Sequence, residues 1–284
     1  MIEPGAQSER KAGEAMSKAV VGKLSEALAA HQPVFCGWVG MNEPSVAEAL
    51  AREAFDAVVL DMQHGAVDFA GASRAILAVA MAGKPAIVRV PVGEFPLASR
   101  LLDAGAAGIV APMINGPEDA RRFVAFTKFP PLGERSWGPR AVLPLSGLEA
   151  ADYLAAANAM TQTIAMIETR SALGALDAIL GVEGVDGVFI GPSDLSIALS
   201  DGRRSDPRGP ALMEAAGRIS ARAEAHGKYA AMFCFDGADA AAMAALGFRL
   251  CSIATDQSLL RGAARAEHAA ARGDPARRSR KRQK

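Results

Sequence analysis

A buried strand that ends in polar side chains is encoded by Val58-Val59-Leu60-Asp61-Met62-Gln63-His64-Gly65. The branched and aliphatic residues at its start are typical of a parallel strand that is covered on both faces. An acid, an amide and an imidazole then follow within four positions. In a protein of alternating strands and helices, catalytic groups collect at the carboxyl ends of the strands. The alternative is a capped strand end with a surface histidine.

Similar runs recur on both sides of this strand. Apolar runs predict eight strands, which cover residues 34–39, 57–60, 86–90, 108–113, 163–167, 187–190, 229–235 and 250–254. Apolar residues at helical spacing predict helices over 15–30, 45–54, 69–82, 95–104, from 117 onward, 148–158, 172–180, 210–226 and 257–271. Ser45 is a suitable N-cap, and Pro117 is a favoured first helical residue.

Eight strands that alternate with helices over about 220 residues predict an α/β protein, a (β/α)8 TIM barrel. An open doubly wound sheet is the alternative. Neither Gly-x-Gly-x-x-Gly after the first strand nor Gly-x-x-x-x-Gly-Lys-Ser/Thr is present, so no nucleotide cofactor is expected. We expect a single barrel domain over residues 15–271, with disordered tails over 1–14 and 272–284.

Composition limits the classes of protein that remain. Half of the 284 residues are hydrophobic, which is enough for a large core. No apolar run could span a membrane, and residues 1–18 lack a signal-peptide core, so neither a membrane protein nor secretion is expected. Cys36, Cys234 and Cys251 lie in or beside apolar runs without metal-ligand spacing. Buried thiols in the cytoplasm are the simplest interpretation.

The balanced net charge hides an asymmetry. Residues 272–284 hold seven basic residues and one acidic residue out of totals of 31 and 31. The remaining chain therefore has 24 basic against 30 acidic residues, a net charge of −6. A basic tail can hold nucleic acid, but this one is short and lacks aromatic residues on which bases stack. We therefore expect no nucleic-acid partner.

Polar or aromatic residues stand at the carboxyl ends of five predicted strands. They are Trp38, then Asp61, Gln63 and His64, then Arg89, then Glu168, and finally Gly191-Pro192-Ser193-Asp194. Charged side chains in such places are costly unless they are paired or bind a metal. The convergence of five strand ends therefore predicts a functional site at one rim of the barrel.

Two of these acids suggest a metal site. Glu168 and Asp194 are 26 positions apart, about one strand–helix repeat, and are expected on neighbouring strands. Two hard oxygen ligands without a histidine or cysteine cluster suit Mg²⁺ or Mn²⁺, with Co²⁺ as a further candidate. The alternative is that both acids cap the helices that follow them.

Arg89 and His64 suggest the chemistry. Arg89 interrupts an apolar strand and needs an anion, either Asp61 in a structural ion pair or a substrate oxygen. His64 is the best general-base candidate because imidazole changes charge near neutral pH. Lys84 and Lys228 precede their strands, Lys128 stays unplaced, and no lysine ends a strand. Schiff-base catalysis is therefore not expected, and metal-assisted proton chemistry next to a carbonyl remains.

Short motifs between Phe35 and Ala254 carry a further signal. They are Gly37-Trp38, residues 60–65, Val88-Arg89-Val90-Pro91, residues 101–106, Val110-Ala111-Pro112-Met113, residues 129–135, Ile167-Glu168-Thr169 and residues 189–195. In this order they resemble the HpcH/HpaI aldolase family. The resemblance implies a (β/α)8 barrel and a class II, metal-dependent pyruvate aldolase. Such an enzyme reversibly cleaves a 4-hydroxy-2-oxoacid into pyruvate and an aldehyde.

The resemblance also implies roles for single residues. Glu168 and Asp194 would bind the divalent metal, and Arg89 would stabilise the pyruvate enolate. His64, oriented by Asp61, would act as the base through a metal-bound water. The remaining implied residues are Asp103, which would support this network from the fourth strand region, and Trp38, Gln63, Gly191, Pro192 and Ser193, which would contact the substrate. A homohexamer is implied too, in which the terminal helix over 257–271 packs on a neighbouring subunit.

Other interpretations stay open. Gln63 stands where some members carry Glu, which changes the charge beside the base. A CoA-thioester lyase of the citrate-lyase β-subunit type is the second hypothesis, but a basic CoA site is not evident outside residues 272–284. A non-catalytic barrel is the third. Residues 129–147, with Arg135, Trp137 and Arg140, are too long for an ordinary connection and predict a functional loop or a packing arm.

Overall fold

Eight parallel strands close into a barrel in the order of the sequence. In the computed structural model, which describes residues 20–273, they are β1 (Val34–Val39), β2 (Ala57–Asp61), β3 (Ala86–Arg89), β4 (Gly108–Ala111), β5 (Gln162–Ile167), β6 (Gly187–Ile190), β7 (Tyr229–Cys234) and β8 (Leu250–Ile253). Each strand pairs in parallel with its neighbours in sequence, and β1 closes the barrel against β8. The prediction of a (β/α)8 barrel is confirmed, and the open sheet is excluded.

Helices surround the strands. The described residues contain α1 (Lys23–Ala29), α2 (Pro44–Ala51), α3 (Phe69–Met81), α4 (Phe95–Asp103), α5 (Pro117–Thr127), α6 (Val142–Ser146), α7 (Ala150–Met160), α8 (Arg170–Gly174), α9 (Leu176–Leu180), α10 (Pro192–Leu199), α11 (Pro210–Ala225), α12 (Gly237–Ala245) and α13 (Asp256–Ala271). Their apolar faces cover the outside of the sheet, as the alternating sequence pattern requires.

Alternate residues of each strand face two different cores. Val58 and Leu60 pack outward against the helices, whereas Val59 packs in the barrel interior. Trp38 and Phe189 belong to the interior cluster as well. Both faces of a strand are therefore buried, which explains why the strands are continuous apolar runs.

The same alternation aims charged side chains into the barrel. Each of them lies two positions after an interior residue: Asp61 after Val59, Arg89 after Ile87 and Glu168 after Met166. Because side chains two apart on a strand share a face, all three extend the interior layers toward the carboxyl ends of the strands.

Some local predictions need correction. Ser45 is not an N-cap, because α2 begins at Pro44 and is capped by Glu43, whose carboxylate accepts the Ser45 N–H at 3.3 Å. Residues predicted as one helix over 172–180 form two short helices, α8 and α9. No bounds were predicted for α6, α10 and α12, although a helix after Asp194 was considered as the alternative to a metal site. Asp194 lies in the first turn of α10.

Lys128 and the long connection after it lie at the amino ends of the strands. The Lys128 ammonium is fully buried and donates to the carbonyls of Asn158 and Thr161 and to Asp186 Oδ2, each at 2.7 Å. Thr161 and Asp186 immediately precede β5 and β6. Lys128 is therefore at the end of the barrel opposite to the predicted site, which resolves the position that the sequence left open.

Some predictions fall outside the described residues. These are the tails over 1–14 and 272–284, except Arg272 and Gly273, and residues 15–19 of the first predicted helix.

The three cysteines are free and buried, as expected. Between residues 20 and 273, no helix has the length and apolar character that crossing a membrane requires.

Candidate active site

A cavity of about 570 Å³ opens at the carboxyl ends of the strands. Its lining includes Trp38, Asp61, His64, Arg89 and Asp194. Gly191, Pro192 and Ser193 contribute to the wall as well. Most of the residues predicted from the sequence are therefore brought together in one place.

Asp61 and Arg89 form a buried ion pair with two contacts. Arg89 donates from Nε to Asp61 Oδ1 at 2.9 Å and from Nη2 to Oδ2 at 2.7 Å. The Trp38 indole donates to the same Oδ2 at 3.2 Å, and the Arg89 guanidinium lies 4.9 Å from the ring centre. Burial alone would raise the pKa of Asp61, but the hydrogen bonds and charge of Arg89 lower it overall. The structural ion pair considered from the sequence is therefore present.

The ion pair leaves part of Arg89 available. Within residues 20–273, its third nitrogen, Nη1, has no hydrogen-bond partner, and Arg89 lines the cavity. Because two contacts fix the planar guanidinium, the remaining donor has a set direction. Arg89 can thus serve both as a partner of Asp61 and as a donor to a substrate oxygen.

His64 is held at the rim by its backbone. Its N–H donates to Asp61 Oδ1 at 3.3 Å, and the Gln63 N–H donates to the same oxygen at 3.0 Å. The imidazole is exposed and, within the described residues, makes no hydrogen bond to Asp61. The expected orientation of His64 by Asp61 therefore acts through the main chain of the turn.

Glu168 is the least exposed acid of the site. It is 2% exposed, and its Oε2 accepts the Met113 N–H at 2.9 Å. A Cβ at Gly191 would lie only 2.3 Å from its Oε1, so the glycine leaves room for this carboxylate. Burial raises the pKa of Glu168, and the nearby charge of Asp194 raises it further. The hydrogen bond from the Met113 N–H and the charge of Arg89 lower this pKa, but the net effect is a rise. Two acids that repel each other in this way gain most from a bound cation.

The donor set fits a cation that keeps water ligands. Within the described residues, no group of three or more His, Cys, Asp or Glu side chains could hold a metal. Glu168 and Asp194 supply two hard oxygen donors beside an open cavity, and water or substrate oxygens can complete the coordination of Mg²⁺ or Mn²⁺. A pair of carboxylates is therefore compatible with the metal that the sequence suggested.

Asp103 and Gln63 are not in the cluster. Asp103 is the last residue of α4, near the amino end of β4, and its Oδ1 accepts from Arg135 Nη2 at 2.6 Å. Because helix and strand run in opposite directions, Asp103 lies at the end of the barrel opposite to His64 of its own chain, and its support of the His64 network stays a prediction. The side-chain oxygen of Gln63 is buried without a hydrogen-bond partner in the described residues and does not line the cavity.

Two residues of the site were missed by the sequence analysis. Met113 contributes only its backbone, with φ of 56°, and residues of this type carry no signal for a left-handed conformation. Asp256 is 4% exposed and lines the cavity at the start of α13. Thr255 and Ser258 around it form a capping box, which could have indicated the helix start but not the contacts of the acid.

Comparisons with known proteins identify the family of this chain. The family model described as HpcH/HpaI aldolase/citrate lyase matches residues 35–263. The chain belongs to this family. A hydroxypyruvate/pyruvate aldolase from Rhizorhabdus wittichii is 39% identical over 82% of this chain and 92% of its own length. A 5-keto-4-deoxy-D-glucarate aldolase from Shigella dysenteriae is 33% identical over 85% of this chain and 93% of its own.

A solved structure supports the assignment. A HpcH/HpaI aldolase/citrate lyase family protein from Burkholderia cenocepacia is 33% identical, with a TM-score of 0.80 over 88% of this chain and 99% of that chain. The family and its relatives show that the chain is an enzyme, a lyase of the aldolase type. The resemblance seen in the motifs is confirmed.

Proposed function

We propose that this aldolase reversibly cleaves a 4-hydroxy-2-oxoacid into pyruvate and an aldehyde. The observation that carries the proposal is that Asp61, Arg89, His64 and Asp194 line one cavity, with the buried Glu168 carboxylate close enough to Asp194 and Arg89 to feel their charges. Relatives with named pyruvate aldolase activity support it. The Arg89 guanidinium and a cation held by Glu168 and Asp194 would both supply positive charge, which suits a substrate that develops negative charge on its keto oxygen.

Glu168 and Asp194 would hold a divalent metal, Mg²⁺ or Mn²⁺, with Co²⁺ as a further candidate. When bound, such an ion polarises the keto oxygen of the oxoacid as a Lewis acid. A cation would stabilise the buried Glu168 carboxylate, whose pKa is raised by burial and by the nearby charge of Asp194. No lysine is assigned a covalent role, since imine chemistry is not needed when the keto oxygen is polarised in this way.

The residues of this chain would manage the bond change. In the cleavage direction, the C4 hydroxyl loses its proton toward His64 while the C3–C4 bond breaks, which releases the aldehyde. The bonding electrons pass into the C2–C3 enolate of pyruvate, whose oxygen receives a hydrogen bond from Arg89 Nη1. The proton held by His64 is then returned, directly or through water, to C3 of the enolate, and pyruvate leaves. Backbone N–H groups of Ser193 and Asp194, in the first turn of α10, would hold the substrate carboxylate.

A coupled assay tests the proposal. Lactate dehydrogenase reports pyruvate released from a panel of 4-hydroxy-2-oxoacids, with added Mg²⁺ or Mn²⁺ and with EDTA. Metal-dependent release supports the proposal, and the substrate that is turned over fastest identifies the aldehyde. If no oxoacid yields pyruvate with any of the metals, the proposal is refuted.

Proton exchange at the methyl group of pyruvate isolates the enolate step. Arg89→Ala should lower this exchange by about 10²-fold or more, because it removes the donor to the developing oxyanion. An unchanged exchange rate would remove Arg89 from the mechanism.

Two other functions are less well supported. A CoA-thioester lyase of the citrate-lyase β-subunit type would need a cationic site for the nucleotide. Arg89 is the only Lys or Arg among the described residues that line the cavity, and it is bound to Asp61. A non-catalytic barrel would not require a buried carboxylate at Glu168 with a second acid, Asp194, near it. The same coupled assay separates both from an aldolase.

We also propose that α13 mediates self-association, with a homohexamer as the expected assembly. Asp256 is the only buried residue of its 16, and Leu259 and Leu260 are exposed. A helix with so little contact to its own barrel gains stability by packing on another copy. Leu260→Asp should reduce the mass measured by analytical ultracentrifugation, while an unchanged mass would remove α13 from the interface.

A cytoplasmic location suits the three buried free thiols.

A further inference from the structure

Asp256 is a buried acid that the proposed mechanism does not use. It is the first residue of α13, separated from the end of β8 by Ala254 and Thr255, and lies on the cavity wall. Its Oδ2 accepts the N–H groups of Gly40 and Met41 at 3.1 and 2.9 Å, and its Oδ1 accepts the Gln257 N–H at 2.7 Å. A carboxylate with three backbone donors is firmly fixed, because such charge-assisted hydrogen bonds are stronger than neutral ones.

Gly40 carries this constraint to the turn that holds His64. The Gly40 carbonyl accepts the Ala66 N–H at 2.8 Å. Gly65 packs so closely on Gly40 that a Cβ at Gly65 would lie 2.9 Å from its Cα and its carbonyl oxygen. The peptide unit of Gly40 is thus held by Asp256 on one side and supports the turn after β2 on the other.

His64 depends on this support because its own side chain has none. Its backbone N–H reaches Asp61 at 3.3 Å, a long hydrogen bond, and within the described residues its imidazole has no partner. The position of the ring is therefore set by the path of residues 64–66. That path is fixed by Asp61 at one end and by Gly40 at the other.

We propose that Asp256 is a positioning residue, which places the His64 imidazole in the cavity by way of Gly40. The proposal rests on the proposed function, in which His64 handles the proton. β1 lies between β8, which leads to α13, and β2, which leads to His64. Asp256 at the start of α13 would therefore position a histidine that follows the strand on the other side of β1.

Pyruvate methyl exchange in the full-length enzyme tests the proposal. Asp256→Ala should lower kcat for exchange by about 10²-fold, the loss typical of a catalytic group displaced by about 1 Å, with KM changed far less. Asp256→Asn keeps an oxygen acceptor and should recover part of this loss. In a His64→Ala background, Asp256→Ala should add less than a twofold loss, because the group that it positions is gone. Equal losses in both backgrounds would overturn the proposal.

A second measurement does not depend on activity. The chain has four histidines, so the imidazole C–H signals in an NMR spectrum are few, and the His64 signal is identified by its loss in His64→Ala. Asp256→Asn should shift the His64 signal, and an unshifted signal would also refute the proposal. Asp236→Ala is the matched control, because Asp236 caps the neighbouring α12 but contacts Arg208 and Asp239 instead of Gly40. If the wild type fails to exchange while the signal shifts, the proposed function fails and the positioning role stands.

Discussion

Gly191→Ala should disable the metal site by a steric effect alone. The backbone angles of Gly191, φ −85° and ψ 96°, are accessible to alanine, so no conformational strain is introduced. The added Cβ would lie 2.3 Å from Glu168 Oε1 and 3.0 Å from its Cδ. Since ordinary contact begins at 3.4 Å, the carboxylate must move by about 1 Å.

The magnitude follows from what this movement disturbs. Metal–ligand distances vary by only about 0.2 Å, so a displaced Glu168 ceases to be an effective ligand. Its other oxygen accepts the Met113 N–H at 2.9 Å, and that hydrogen bond is strained by the same shift. We expect the Kd for Mn²⁺ to rise about 10²-fold, about 2.7 kcal/mol, and pyruvate methyl exchange at subsaturating Mn²⁺ to fall by a similar factor.

Gly116→Ala is the control for this variant. Gly116 also precedes a proline at the start of a helix, but a Cβ there would meet nothing within 4 Å. Electron paramagnetic resonance of free Mn²⁺ measures the Kd of both variants. A folded Gly191→Ala protein that binds Mn²⁺ as tightly as Gly116→Ala and the wild type would refute the placement of the metal at Glu168.

Three further variants or treatments test other parts of the site. Asp61→Asn should lower the free energy of unfolding in urea by about 3–5 kcal/mol, because it leaves the buried Arg89 charge without its paired carboxylate. Glu48→Gln, at the exposed Glu48–Arg52 pair, should lower it by less than about 1 kcal/mol. A loss at Asp61 no larger than at Glu48 would contradict the buried pair. Glu168→Gln should raise the Tm of the EDTA-treated protein at neutral pH. The fold raises the pKa of Glu168 above its ordinary 4.5, so the stability that the protonated group contributes is fully present below that pH and is lost as pH rises through the raised pKa. A Tm gain that shrinks toward neutral pH would have the wrong sign. Borohydride added with pyruvate should leave activity unchanged, and mass spectrometry that finds a reduced pyruvate adduct on a lysine would restore imine chemistry.

Much of this architecture was predictable because it follows from local patterns. The strands are apolar on both faces, so their positions could be read from short runs such as 58–60, and eight repeats imply a closed barrel. The cluster of Asp61, Arg89 and Glu168 was predictable for a related reason. A charged residue that continues a buried strand is costly unless it is paired or binds an ion, so charged residues at the ends of neighbouring strands are expected to lie together.

The remaining features depend on contacts between distant parts of the chain. The hydrogen bond that Met113 donates to Glu168 comes from a backbone N–H, which every residue except proline carries, so no residue type predicts it. The contacts of Asp256 with Gly40 and Met41 join positions more than 200 residues apart. The end of the barrel at which Asp103 lies was not predictable, because a short acidic motif does not show which end it occupies.

The use of a main-chain donor at Met113 has a consequence for how this site can evolve. Substitution of the side chain leaves the amide in place, so most mutations at position 113 cannot delete the hydrogen bond to Glu168, and only proline does so outright. The left-handed φ of 56° imposes a different filter, which favours glycine and asparagine and penalises branched side chains. Natural variation at this position should therefore follow backbone conformation, and should carry little information about which substrate a family member has adopted.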